Sequence, residues 1–143
     1  MTYRLIRVEP ASPHVGAEIS GVDLARPIAA DAFAEIRRAF GQYGVVFFRD
    51  QDLTPEQHVA FAERFAPIDI NRFFTAVPGY PMIAEVRKEP EQTRNIGGGW
   101  HTDHSYDQRR PWARCSMPAR SRRPAATRCL PACTRPMMRC RTG

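Results

Sequence analysis

A mixed α and β fold is what the first 108 residues predict, and three observations carry it. After Asp31, the residues Phe33, Ile36, Ala39 and Phe40 recur at helical spacing, with Arg37 and Arg38 on the other side. Thr54-Pro55-Glu56-Gln57 is a capping box with proline at the first helical position, a strong signal for a second helix. Between the two helices, residues 45–48 (VVFF) form a short, wholly apolar, β-branched and aromatic run, the mark of a buried strand.

The remaining elements follow in chain order. Residues 3–8 alternate loosely and read as a first strand, broken by Pro10 and Pro13. Residues 16–24, GAEISGVDL, read as a short strand or hairpin with glycine turns, ended by Pro27. Asp31 is the expected N-cap of the first helix, with Glu35 near its first turn and Gly41 or Gly44 as its stop. Residues 49–51 form the turn after the buried strand. The second helix runs to about Phe65, burying Val59, Phe61 and Ala62, and Pro67 closes it. Residues 80–86 read as a strand after the Pro78-Gly79 turn, and residues 90–99 as a polar, glycine-rich loop. This order admits a doubly wound sheet. No glycine-rich phosphate loop follows a strand, so nucleotide binding gains no support.

The 143 residues are 43% hydrophobic and 25% charged, an ordinary globular average. No run approaches the 18 apolar residues of a membrane-spanning helix, and MTYRLIRVEPASPHVG lacks the apolar core of a secretory signal. A cytoplasmic location is therefore expected. The average hides a seam. Residues 1–108 hold 11 Lys and Arg and all 15 Asp and Glu, whereas residues 109–143 hold 10 Arg and no acid. The whole net charge of +6 thus arises in the last quarter. All four cysteines lie there too, and from Ala113 onward Leu130 is the only large aliphatic or aromatic residue besides methionine. Such a segment has little worth burying, so a tail without regular structure is expected.

Residues 95–106 carry the chemistry. His101-Thr102-Asp103 is a His-x-Asp pair. On a strand, side chains at i and i+2 project the same way, so one imidazole and one carboxylate would converge. With a later histidine, this is the two-His, one-carboxylate facial triad of non-haem Fe(II) oxygenases, which leaves three coordination positions for a chelating cosubstrate and dioxygen. The preceding glycines, Gly97 to Gly99, would let backbone approach whatever binds. The bland alternative is a surface turn with a capping aspartate. By the same standard His104 is a solvated neighbour, Trp100 a core residue, and His14 and His58 a turn and a helix residue rather than ligands.

Three pieces together are specific: GAEISGVDL at 16–24, FGQYGVVFFRDQDLTPEQHVAFAERF at 40–65 and GGGWHTDHSY at 97–106. In order and spacing they resemble the taurine dioxygenase family of 2-oxoglutarate-dependent non-haem Fe(II) dioxygenases, over nearly all of residues 3–108. The resemblance implies an α+β chain: the N-terminal part of a double-stranded β-helix (jelly roll) with flanking helices, incomplete at its C-terminus. It implies His101 and Asp103 as iron ligands, Fe(II) as cofactor, and 2-oxoglutarate as cosubstrate. It also makes the loop before Trp100 a wall of the substrate pocket. The implied partners are a small-molecule substrate and dioxygen, with no membrane or nucleic acid. A homo-oligomer stays open.

The resemblance stops after the His-x-Asp pair. The family's second iron-binding histidine, its 2-oxoglutarate-binding arginine and its cosubstrate-binding threonine have no counterpart here, and no histidine follows His104. Residues 70–74 (INRFF) also match the substrate side of the family poorly. Back-translating from Arg109 with GC-rich codons and restoring one C near Arg109 and Arg110 reads RPAMGSMLYAREVPPAGGDTLF, then ACMYAAYDALSDG. That is the expected family continuation, with its Gly-Gly-Asp-Thr. The domain reading is therefore 1–109 as the N-terminal portion of a taurine dioxygenase-like domain and 110–143 as an out-of-frame Arg/Pro/Cys-rich tail. The cysteine spacing lacks the paired C-x2-C of a strong zinc site. A non-enzymatic fragment is the first alternative function. The second is an Arg-rich module binding nucleic acid through phosphate charge; beyond Trp112 it has no aromatic to stack on bases.

Overall fold

The computed structural model describes residues 2–87, 91–93, 99–101 and 113–117, and the backbone of 126–131. Its elements are β1 (Arg7–Pro10), β2 (Ala17–Ser20), α1 (Ala30–Tyr43), β3 (Val46–Arg49), α2 (Pro55–Glu63), β4 (Ala76–Val77), β5 (Tyr80–Ala84), β6 (Ala113–Ser116) and β7 (Ala126–Pro131). The main sheet has the order β1-β2-β3-β7-β6, and β4 and β5 pair as a separate hairpin. Only β2 and β3 run parallel, with α1 as the crossover between them; their neighbours are antiparallel. The sheet is mixed, and a doubly wound arrangement is not what forms.

Local chemistry explains where the elements start and stop. The first strand begins at Arg7 rather than Tyr3, because the N–H groups of Arg4, Leu5 and Ile6 point at the Glu35 carboxylate and not at a neighbouring strand. Pro10 is the last residue of β1, opposite Ala17, on the outer strand where a missing donor costs least. Gly16 and Gly21 bracket β2 with φ of +90° and +85°, conformations that a side chain disfavours. α1 begins one residue before Asp31, with Ala29 at the N-cap and no side-chain cap. Asp31 lies instead in the first turn, where its charge favours the helix dipole. Of the two candidate stops, Gly44 ends the helix: at φ +73° its N–H returns to the Phe40 carbonyl.

α2 forms as its signature requires. The Thr54 hydroxyl accepts from the Gln57 N–H at 3.3 Å, and the Gln57 side chain accepts from the Thr54 N–H at 2.8 Å. Such a cap contributes about 1 kcal/mol. The helix ends at Glu63, just short of the expected Phe65, and it buries Phe61 fully but Val59 and Ala62 only in part. The Tyr80 hydroxyl donates to the Glu56 carboxylate, tying β5 to α2 and holding that carboxyl below the usual carboxylate range.

The core lies between the sheet and the two helices. Val46 and Phe48 of β3 are wholly buried, while Phe47 between them is half-exposed, so this strand buries one face. Phe61 meets Phe33, Phe48 and Phe65 edge-on, with ring centroids 6.1, 5.9 and 5.4 Å apart. Edge-to-face contact sets the positive rim of one ring against the negative face of another. Arg64 lies 4.0 Å over the Phe33 ring and donates to the Ile28 carbonyl at 2.7 Å, fastening the 22–28 loop to the end of α2.

The described part of the tail differs from expectation. β7 pairs antiparallel with β3, and β6 pairs with β7. Ladder hydrogen bonds are made by backbone, so a strand edge such as that of β3 accepts an extended segment whatever its side chains. Ala113, Cys115 and Met117 lie partly buried against the apolar core.

Candidate functional site

Gly99 and Trp100 form a bend, and His101 follows it in irregular backbone rather than in a strand. Trp100 is fully exposed and is not a core residue. The His101 ring Nδ1 lies 2.7 Å from the Gly99 carbonyl oxygen. A carbonyl can only accept, so Nδ1 carries the proton and donates. In the neutral ring, the lone pair is then on Nε2. A backbone carbonyl held on Nδ1 is the usual way a ligating histidine is given its tautomer and orientation. His101 is exposed.

Asp103 and His104 lie outside the described residues, as do Gly97 and Gly98. Among the described residues, no three His, Cys, Asp or Glu side chains come together. At Gly99 an added Cβ would meet nothing within 4 Å among the described residues. Ile70 and Phe73, from the segment that matched poorly, are exposed; the turn there is made by the Asn71 side chain, which accepts the Phe73 and Phe74 N–H groups at 2.8 and 3.2 Å. His14 is an exposed turn residue whose N–H donates to the Ser12 hydroxyl at 3.4 Å.

The structure joins one pair that no sequence spacing suggests. His58 on α2 is half-buried, and a hydrogen bond to Cys115 on β6 raises its pKa above the ordinary 6.5, against the opposing effect of burial. Because the value is raised on folding, the tie between α2 and β6 is complete below pH 6.5 and is lost as pH rises through the raised value. Thermal unfolding of the parent chain is therefore expected to lose stability from just below neutral pH upward. Cys115→Ala should shrink that slope, because it removes the side-chain partner of His58 and leaves the backbone bond and the burial in place.

The sequence pattern described as "Taurine catabolism dioxygenase TauD, TfdA family" matches residues 7–115. An (S)-phenoxypropionate/alpha-ketoglutarate-dioxygenase of Sphingobium herbicidovorans is 30% identical over 104 residues, which are 69% of this chain and 35% of that protein. An alpha-ketoglutarate-dependent 2,4-dichlorophenoxyacetate dioxygenase of Cupriavidus pinatubonensis is 27% identical over 125 residues, 76% of this chain and 42% of that protein. The crystal structure of a taurine dioxygenase from Burkholderia xenovorans superposes with a TM-score of 0.65 at 38% identity, covering 80% of this chain and 41% of the other. The chain thus spans well under half the length of these relatives. Among the described residues, no helix is long and apolar enough to cross a membrane.

Proposed function

Because the chain belongs to the TauD/TfdA family of taurine catabolism dioxygenases, we propose that it carries the N-terminal part of an Fe(II)- and 2-oxoglutarate-dependent dioxygenase. In this reading it is the opening portion of a double-stranded β-helix with flanking helices, working in the cytoplasm on a small molecule. The observation that carries the reading is His101. It stands in the His-x-Asp pair, within the matched span, with its Nδ1–H committed to the Gly99 carbonyl and its Nε2 lone pair suited to a metal.

His101 and Asp103 would hold Fe(II), an imidazole and a carboxylate being the donor set this ion takes in such enzymes. When bound, the metal supplies the centre at which 2-oxoglutarate is decarboxylated to succinate and the substrate is hydroxylated by dioxygen. The Gly99 carbonyl fixes the ring of His101, and Trp100 offers an exposed apolar wall beside it. The relatives' names include phenoxypropionate and dichlorophenoxyacetate, so a small organic anion is the substrate class that suits this chain.

The 143-residue chain on its own is not expected to turn over. It holds two candidate ligands and no histidine beyond His104, and residues 110–143 read as an out-of-frame version of the family continuation. The test compares this chain with one in which the single base is restored and translation continues through the downstream segment. With Fe(II), ascorbate and 2-oxoglutarate, succinate should form with the restored chain and not with the 143-residue chain. Robust release from the 143-residue chain, or a locus whose codons give no such alternative frame, would overturn the reading of the tail. Absence of iron-dependent succinate from a folded restored chain would overturn the dioxygenase reading.

A further inference from the structure

The start of the chain is held against α1 by contacts that the dioxygenase reading does not use. Three successive backbone N–H groups donate to the Glu35 carboxylate: Arg4 at 3.0 and 3.1 Å to its two oxygens, Leu5 at 2.9 Å and Ile6 at 3.3 Å. Consecutive N–H groups converging on one point make a nest, a backbone concavity that favours an anion. Here the anion is a side chain of the same molecule. Arg38 and Gln42 follow Glu35 at helical spacing and extend the grip. Arg38 donates to the Thr2 carbonyl at 3.1 Å and lies 4.7 Å over the Tyr3 ring; Gln42 accepts from the Tyr3 hydroxyl at 2.9 Å. Ile6 is buried, and Tyr3 and Val8 lean on the core, while Leu5 faces outward.

The geometry points to a latch: residues 2–6 form a strap closed onto α1 by the Glu35 carboxylate, able to open while α1, α2 and β3 stay packed on one another. Opening withdraws Tyr3 and Ile6 from the apolar core and unties β1, the outer strand of the sheet. The charged and titratable groups facing Glu35 are Arg38 on its own helix, 3.4 Å away, and Tyr3 on the strap. The N–H groups of Arg4 and Leu5, then that of Ile6 and the Arg38 charge, hold the carboxyl below its ordinary 4.5. A value lowered on closing means that the latch is fully favoured above pH 4.5 and is lost as pH falls through the lowered value.

The test times tryptic cleavage after Arg4 and Arg7 in the 143-residue chain at neutral pH. Glu35→Ala should speed it by roughly tenfold or more, as local opening becomes cheap, with the helical circular dichroism signal unchanged. Glu35→Gln, which keeps the shape without the charge, should fall between. Gln42→Ala, which removes only the partner of the Tyr3 hydroxyl, should speed it far less than Glu35→Ala does. Exchange of the Leu5 and Ile6 amides in the parent, corrected for intrinsic rate, should lose protection below pH 4.5 and not above it. Cleavage of Glu35→Ala at the parent rate would overturn the latch. So would loss of the helical signal in both Glu35 variants, since Glu35 would then hold the whole fold and not a strap.

Discussion

In the frame-restored chain, His101→Ala is expected to lower iron-dependent succinate release by more than about a hundredfold, and Asp103→Ala to do the same. Loss of a group that merely orients a metal ligand already costs roughly 10–100-fold in affinity or activity, and removing a ligand itself costs more. For His101 the structure adds a specific reason. Its ring is presented by a hydrogen bond to the Gly99 carbonyl, so Nε2 is the atom that alanine removes from the site. The check is a decarboxylation assay together with iron content per chain after gel filtration, so that lost binding is separated from lost turnover. His14→Ala, at an exposed turn residue on another part of the chain, should leave both readings unchanged. Full activity in a folded His101→Ala chain would remove the metal assignment.

The largest stability effect is expected at Phe61. It is 3% exposed and joins α2 to both α1 and β3 through edge contacts with Phe33 and Phe48. Truncating a buried phenylalanine costs about 3–5 kcal/mol, the lost transfer energy plus the cavity left behind. Small domains have only about 5–15 kcal/mol in total. Phe61→Ala should therefore shift the urea midpoint down by a large fraction of its parent value, and should flatten the near-ultraviolet circular dichroism of the aromatic cluster. Phe73→Ala, at a residue 69% exposed, should stay within about 0.5 kcal/mol of the parent. Equal effects at the two positions would mean that the phenylalanine cluster is not what holds the two helices to the sheet.

How much of this could be read in advance depends on the range of the forces involved. The sequence alone determined the elements whose causes are local. The Thr54-Pro55-Glu56-Gln57 cap satisfies its own helix end within four residues, and the helical stripe of Phe33, Ile36, Ala39 and Phe40 is buried as its spacing implies. Residues 45–48 and the stretch after the Pro78-Gly79 turn likewise produced β3 and β5, whereas the pairing of β5 with β4 was not read from the sequence. The family to which the chain belongs was legible too, as short motifs set in a fixed order along the chain. Tertiary structure decided the rest. Glu35 turned residues 4–6 away from strand pairing across a separation of some thirty positions, and Ala29 displaced Asp31 as the first cap. An open edge on β3 drew in β7 through backbone bonds that no side-chain composition forbids. Trp100, for which a core position was the bland alternative, lies on a bend and is fully exposed. His58 met Cys115 only because α2 and β6 fold onto the same core. Local hydrogen bonds and periodicity are written along the chain, whereas burial and pairing between distant segments depend on which surfaces the fold leaves for them.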